Sequence, residues 1–286
     1  MAKKIFILGA TGKVGYEVVK YLRSQKIPIK AAVHQPKNTA LFTQLGAEPI
    51  ALDLAKPETI AQAFDEVNKL FLLIPSTNKN TEISTAKKII DYAKKINIEN
   101  MVHLSAMGAE NYPTFSHSYI EKYLNDQNIP HVHLQPNFFM QNFNTFYLNH
   151  IQQKKTINIY DAGTATSFID VRDIGEIAGK FLLNNPQNCK TFILTGSQAF
   201  THQQVAEILS AVCSQKIKYT ATSNDDTRAA LYDCGWTLEN IEKFILITKG
   251  IQQGAFSPIH SHVADILERP AISFEQYAYD HKEFWQ

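Results

Sequence analysis

Three glycines near the amino end are spaced to hold a phosphate. Residues 5–8 are apolar and run into Gly9-Ala10-Thr11-Gly12-Lys13-Val14-Gly15, and Val14, Val18 and Leu22 then recur at helical spacing. In a strand that turns sharply into a helix, Gly9 permits the turn, Gly12 lets backbone approach a diphosphate, and Gly15 lets the helix pack close. Amides of a first helical turn have no partner within the helix, and the helix dipole adds about half a positive charge there. Glycines alone would be weak, since any sharp strand-to-helix turn uses them. Here strand, helix and a second strand ending near residue 33 supply the required context, so Gly9, Thr11, Gly12, Lys13, Val14 and Gly15 are expected to cradle a dinucleotide pyrophosphate.

The end of the second strand chooses between cofactors. An NAD site places Asp or Glu about 20 residues past the glycines, to accept from the ribose 2′-hydroxyl. This chain has Val33-His34-Gln35-Pro36-Lys37 there, with no carboxylate. His34 and Lys37 can donate to a 2′-phosphate, so NADP(H) is the expected cofactor.

Other reactive patterns are less informative. The Tyr-x-x-x-Lys pair of the tyrosine-dependent short-chain dehydrogenases, in which Lys lowers the Tyr pKa, occurs only as Tyr16 and Lys20. That pair follows the glycine loop directly, too far from the nicotinamide end to serve. Tyr119 is followed by Tyr123 with no Lys to complete the motif. His131/His133 and His260/His262 form two His-x-His pairs, but no Cys or carboxylate spacing adds ligands, and no metal site is expected.

The elements that must position these groups alternate. Apolar runs at 5–8, 29–33, 48–52, 69–74, 101–104 and 131–134 read as strands, and near-continuous ones such as 70–74 fit a sheet covered on both faces. Between them Ile60, Ala63 and Phe64, then Ile83, Ala86, Ile90 and Ala93, mark helical faces. The pattern predicts an α/β fold: a doubly wound parallel Rossmann sheet with a smaller C-terminal α+β lobe. Residues 1–150 are expected to form the cofactor domain and 151–286 the lobe, with 155–200 returning strands to the sheet. Thr201 and Gln204 before Val205, Ile208, Leu209 and Val212 spell a capping box, with a weaker start at Asp170 and Asp173. From 222 onward the chain reads as short helices.

Composition sets outer limits. The 286 residues carry 28 basic and 27 acidic side chains, a balance that gives no electrostatic reason for a nucleic-acid or anionic-membrane partner. No apolar run approaches the roughly 20 residues of a membrane span, and no cleavable leader is read at the start. Three scattered cysteines fit reduced thiols better than a disulfide framework. A cytoplasmic monomer or homodimer acting on a small molecule is expected.

Several longer stretches resemble one family. His117-Ser-Tyr-Ile-Glu121-Lys-Tyr-Leu124, the run Asn128 to Asn142 through Gln135-Pro136-Asn137-Phe138-Phe139, Ser167-Phe-Ile-Asp170-Val-Arg-Asp173, Phe192 to Ser210, and Ser273 to His281 are similar to the NmrA-like group of atypical short-chain dehydrogenase/reductases. The resemblance implies a Rossmann fold binding NADP(H). Members include quinone and dye reductases, and also regulators that bind the cofactor without turnover. Where many members carry Arg, this chain has His34 and Gln135.

By that resemblance Asp53 and Leu54 approach the adenine, Pro75 and Ser76 line the ribose side, and Pro136, Asn137 and Phe138 lie beside the nicotinamide. His117 becomes the candidate proton donor or ribose contact, and Ser105 the sheet-edge hydroxyl near the ring. Hydride transfer to a quinone asks only that the protein orient the acceptor and supply a proton. The expected function is NADPH-dependent reduction of a quinone-like or conjugated small molecule. The alternative is a non-catalytic, NADP(H)-sensing regulatory protein.

Overall fold

The computed structural model describes residues 3–54, 56–184 and 189–286, which separate into two compact units, Met1–Pro136 with Val171–Leu194, and Asn137–Asp170 with Thr195–Gln286.

The first unit alternates as the apolar runs require. In order come β1 (Lys4–Ile7), α1 (Lys13–Ser24), β2 (Ile29–Val33), α2 (Thr39–Gln44), β3 (Glu48–Ala51), α3 (Pro57–Phe64), β4 (Val67–Leu72), α4 (Lys79–Lys95), β5 (Asn100–Leu104), α5 (Ser116–Asn125) and β6 (His131–Pro136). After α6 (Leu148–Lys154) and β7 (Thr156–Asn158) of the second unit, the chain returns with α7 (Val171–Leu183) and β8 (Lys190–Leu194). The seven strands are parallel and ordered β3-β2-β1-β4-β5-β6-β8. This is the doubly wound Rossmann sheet. The strand order reverses between β1 and β4, the place where such sheets take ligands beyond their carboxyl ends.

One face of the sheet packs Phe6, Leu8, Leu70, Leu72 and Met101 against Ile60 and Phe64 of α3, Ile89, Ile90 and Ala93 of α4, and Ile120 and Leu124 of α5. Two amines, one buried and one half-buried, secure helix ends. Lys30, 3% exposed, donates to the carbonyls of Gln62 and Asp65 at the end of α3. Lys69 donates to Leu182 and Leu183 at the end of α7. In both, a cation meets the negative end of a helix dipole. β4 begins two residues before the apolar run and ends at Leu72, which frees Leu73 to lie beneath the glycine loop.

The second unit holds a two-stranded parallel sheet, β7 with β9 (Lys218–Thr220), and the helices α6, α8 (His202–Cys213), α9 (Asn224–Asp233), α10 (Leu238–Gln252), α11 (His262–Leu267) and α12 (Phe274–Asp280). The expected capping box closes on α8, where the Gln204 amide donates to Thr201 Oγ1 at 3.2 Å and Thr201 N donates to Gln204 Oε1 at 2.9 Å. The expectation of short helices fails at α10, which runs 15 residues. The core of the second unit gathers Met140, Phe143, Phe168, Phe274, Tyr277 and Trp285. At its polar centre Asp161 accepts from Gly163 N and Tyr219 Oη on one oxygen, and from His202 N and Nδ1 on the other.

Candidate active site

The glycine loop follows β1 at the carboxyl edge of the first unit's sheet. Gly9 adopts φ +79°, and a β-carbon there would lie 2.8 Å from the Leu73 side chain. On Gly15 a β-carbon would meet the Gly9 carbonyl oxygen at 2.1 Å. Helix and loop are therefore in backbone contact, which no side chain permits. Gly12 is the N-cap residue of α1, with φ −82° and no capping side chain, and the first turn carries no acidic residue. That end therefore carries neither a capping side chain nor an acidic first-turn residue, which suits an anion. Thr11 and Lys13 are exposed beside it, and Val14 and Gly15 are buried.

The remaining strand ends complete the edge. After β2, His34 and Lys37 are both exposed, with no carboxylate among residues 34–38. After β3, the Asp53 amide donates to Thr59 Oγ1 and Leu54 packs on the core. Pro75 and Ser76 are exposed after β4. Ser105, 5% exposed, follows β5, and Pro136 ends β6. His117, half-buried, is the second residue of α5. Asn137 and Phe138 belong to the second unit. There the Asn137 amide donates to Ser167 Oγ and to the Phe256 carbonyl, both at 2.8 Å, and Phe138 packs edge-on to Phe256. Its side chain is thus committed to holding that unit together.

A polar cluster that the sequence did not single out sits next to Ser105. Gln135 donates to Glu121 Oε1 at 2.9 Å and to Glu110 Oε2 at 3.2 Å. Burial pushes the Glu121 carboxyl above its usual value, and the neighbouring Glu110 charge adds to this; its interactions with the Ser105 hydroxyl and Gln135 amide work the other way. Glu121 stands one helical turn from His117, on the same side of α5. That i, i+4 spacing was the one available signal. Tyr16 and Lys20 lie on α1, where Lys20 pairs with Glu17, and Tyr119 stacks on Tyr123.

The histidines of β6 have other company. His131 and His133 are buried, their rings 4.7 Å apart, and His133 Nδ1 lies 3.0 Å from His103 Nδ1 on β5. His260 and His262 stack at 5.9 Å. Among the described residues no group of three or more His, Cys, Asp or Glu side chains is arranged to hold a metal ion.

The NmrA-like family model matches residues 1–277. The chain belongs to the NmrA-like family. Within reach of this family is a curated relative, the NAD(P)H azoreductase of Xenophilus azovorans, 25% identical over 281 residues that cover 97% of each chain. Two solved structures share the fold. The NADPH-dependent quinone oxidoreductase of Escherichia coli, complexed with NADPH, superposes with a TM-score of 0.85 at 20% identity, covering 96% of this chain and 99% of that one. The triphenylmethane reductase of Citrobacter sp., complexed with NADP(H), gives 0.81 at 21% identity over 98% and 99%. Among the described residues no helix is long and apolar enough to cross a membrane.

Proposed function

We propose that this NmrA-like chain binds NADP(H) at the glycine loop and reduces a quinone-like or otherwise conjugated small molecule. The observation that carries the reading is the cradle itself: an α1 end with no capping side chain and no acidic first-turn residue, held against the loop by a glycine whose β-carbon would collide with backbone. The first-turn amides after Gly12, with Thr11 and Lys13, hold the pyrophosphate. His34 and Lys37 take the 2′-phosphate, Asp53 and Leu54 border the adenine, and Pro75 and Ser76 the ribose. Pro136 and the backbone of Asn137 and Phe138 border the nicotinamide. The first unit is the cofactor domain and the second the substrate lobe. When bound, NADPH supplies a hydride. The chain's own contribution is a proton and an orientation. His117 delivers the proton to the acceptor oxygen and the Ser105 hydroxyl orients that oxygen, with the Glu121 carboxyl, raised by burial, next to Ser105.

Steady-state NADPH oxidation against a panel of quinones and azo dyes tests this, run beside a calorimetric titration with NADPH. Turnover with at least one acceptor is expected. Tight binding with no turnover on any acceptor would favour the cofactor-sensing regulator, and no binding at all would sink both.

A further inference from the structure

At the opposite, amino edge of the same sheet the chain brings together a thiol, an imidazole and an amide. Cys189 immediately precedes β8 and is exposed. Its Sγ lies 3.3 Å from Nδ1 of His131, the first residue of the neighbouring strand β6, and His131 is only 1% exposed. On the far side of the ring, His131 Nε2 lies 2.9 Å from Oδ1 of Asn125, which closes α5. We infer that Cys189, His131 and Asn125 form a reactive-thiol site, with His131 as base and Asn125 orienting it, that takes up a small disulfide as a mixed disulfide.

A nucleophile within reach of a base, the base held by a third group, is the arrangement by which proteins activate thiols. The surroundings of the ring add a second argument. His131 Nδ1 also lies 2.8 Å from the Ile129 carbonyl oxygen. Two oxygens and a sulfur therefore surround one imidazole: a backbone carbonyl, an amide oxygen and a thiol that also lies 3.8 Å from that carbonyl. A neutral ring has one N–H and would set a nitrogen lone pair against an oxygen. A ring protonated on both nitrogens satisfies both oxygens, and the Cys189 thiol, 3.3 Å from Nδ1, can supply the second proton. Burial holds His131 below the usual histidine value, with the Ile129 hydrogen bond working the other way, so a charged ring here needs an anion beside it. Proton transfer within the pair places a thiolate against the imidazolium, so no net charge is buried. Were the Asn125 amide turned to donate to Nε2, a neutral His131 would suffice and Cys189 would be an ordinary thiol. The two arrangements predict different reactivity.

The chemistry balances without an outside oxidant. The Cys189 thiolate attacks one sulfur of the disulfide, the new S–S bond forms as the old one breaks, and the displaced thiolate leaves and is protonated by solvent. Attack on sulfur develops no oxyanion, so the site needs no further donors. Lying at the amino edge of the strands, it stands clear of the glycine loop at their carboxyl edge.

The chain carries its own reference. Cys213 is buried, while Cys234 is exposed like Cys189 but lies in the second unit. Full-length reduced protein is treated with glutathione disulfide near neutral pH, quenched with acid at intervals, and both exposed cysteines are followed by peptide mass spectrometry. Cys189 should form its mixed disulfide at least about tenfold faster than Cys234. The ultraviolet difference spectrum of wild type minus Cys189→Ser should show a thiolate band at the same pH. His131→Gln and Asn125→Ala should each bring the Cys189 rate down towards that of Cys234. Equal rates for the two cysteines, or a difference spectrum without the band, overturn the proposal, and the rate comparison uses wild type alone, so it holds even where a variant folds poorly.

Discussion

The β-carbon of an alanine at position 15 would sit 2.1 Å from the carbonyl oxygen of Gly9, 2.7 Å from the Gly9 carbonyl carbon and 2.9 Å from Ala10 Cα. All three atoms are backbone, so no rotamer change relieves the contact. Gly15→Ala should therefore move α1 off the loop and cost about 1–3 kcal/mol of stability, as overpacking does. Urea unfolding gives the loss directly, and NADPH affinity should fall with it. Wild-type stability in this variant would show that helix and loop are not in contact.

Gly12 separates binding from folding. A β-carbon there meets the Gly9 carbonyl at 3.3 Å and Leu73 at 3.7 Å, far looser than the 2.1 Å contact at Gly15, and its φ of −82° suits any residue. Asp is moreover a favoured N-cap. Gly12→Asp should keep or slightly raise the melting temperature of the cofactor-free protein. Its carboxylate would fill the open helix end and repel a pyrophosphate, weakening NADPH by at least about tenfold, or ~1.4 kcal/mol. Retained affinity in a calorimetric titration would move the cofactor elsewhere.

That loop was legible because everything it needs is local: a buried strand, three small residues and a helix, contiguous in sequence. The strands of the sheet were legible for a similar reason, as short apolar runs, and the α8 cap because Thr201 and Gln204 are three residues apart. What stayed hidden depends on strand adjacency. Glu121, Gln135 and Ser105 converge only because β5 and β6 are neighbours with α5 packed nearby. His131 and His133 were visible as a pair, but His103 reaches them through the β5–β6 pairing, and Cys189 through that of β6 with β8. Leu73 read as one more strand residue, and only the end of β4 reveals it as the floor under Gly9.

Cofactor preference should reside in two exposed side chains. Lys37→Glu places a carboxylate where β2 now presents only His34, Gln35 and Lys37, and so both removes a donor and repels a 2′-phosphate. NADPH affinity should drop about tenfold or more, with NADH changed by less than about threefold, since the ribose hydroxyl carries no charge to repel. Parallel fluorescence titrations measure the ratio. Equal losses for the two cofactors would place the 2′-phosphate away from this corner.

The histidines inside the first unit set how the protein meets acid. His103 is fully buried, and burial holds its ring well below the usual histidine value, with the charges of His133, His117 and His131 working in the same direction. His133 is lowered to about 3, again chiefly by burial. Their Nδ1 atoms share one proton at 3.0 Å, one ring donating and the other accepting, which two protonated rings cannot do. In the unfolded chain both titrate near 6.5. Because the folded values lie below the unfolded ones, the stability these groups contribute is complete above about pH 6.5 and is lost progressively as pH falls towards 3. The slope is about 1.4 kcal/mol per pH unit for each ring, so unfolding should begin before the carboxylates titrate. Replacing both partners of a buried hydrogen bond by apolar side chains is nearly neutral, so the double variant His103→Leu/His133→Leu should match wild type near neutrality within about 1 kcal/mol. Urea unfolding at a series of pH values should then show wild type losing stability from pH 6 to 4 more steeply than the double variant, which keeps only the smaller slope of groups such as His131. An acid slope unchanged by the double substitution would mean that these rings are already charged, or reached by water, in the folded protein.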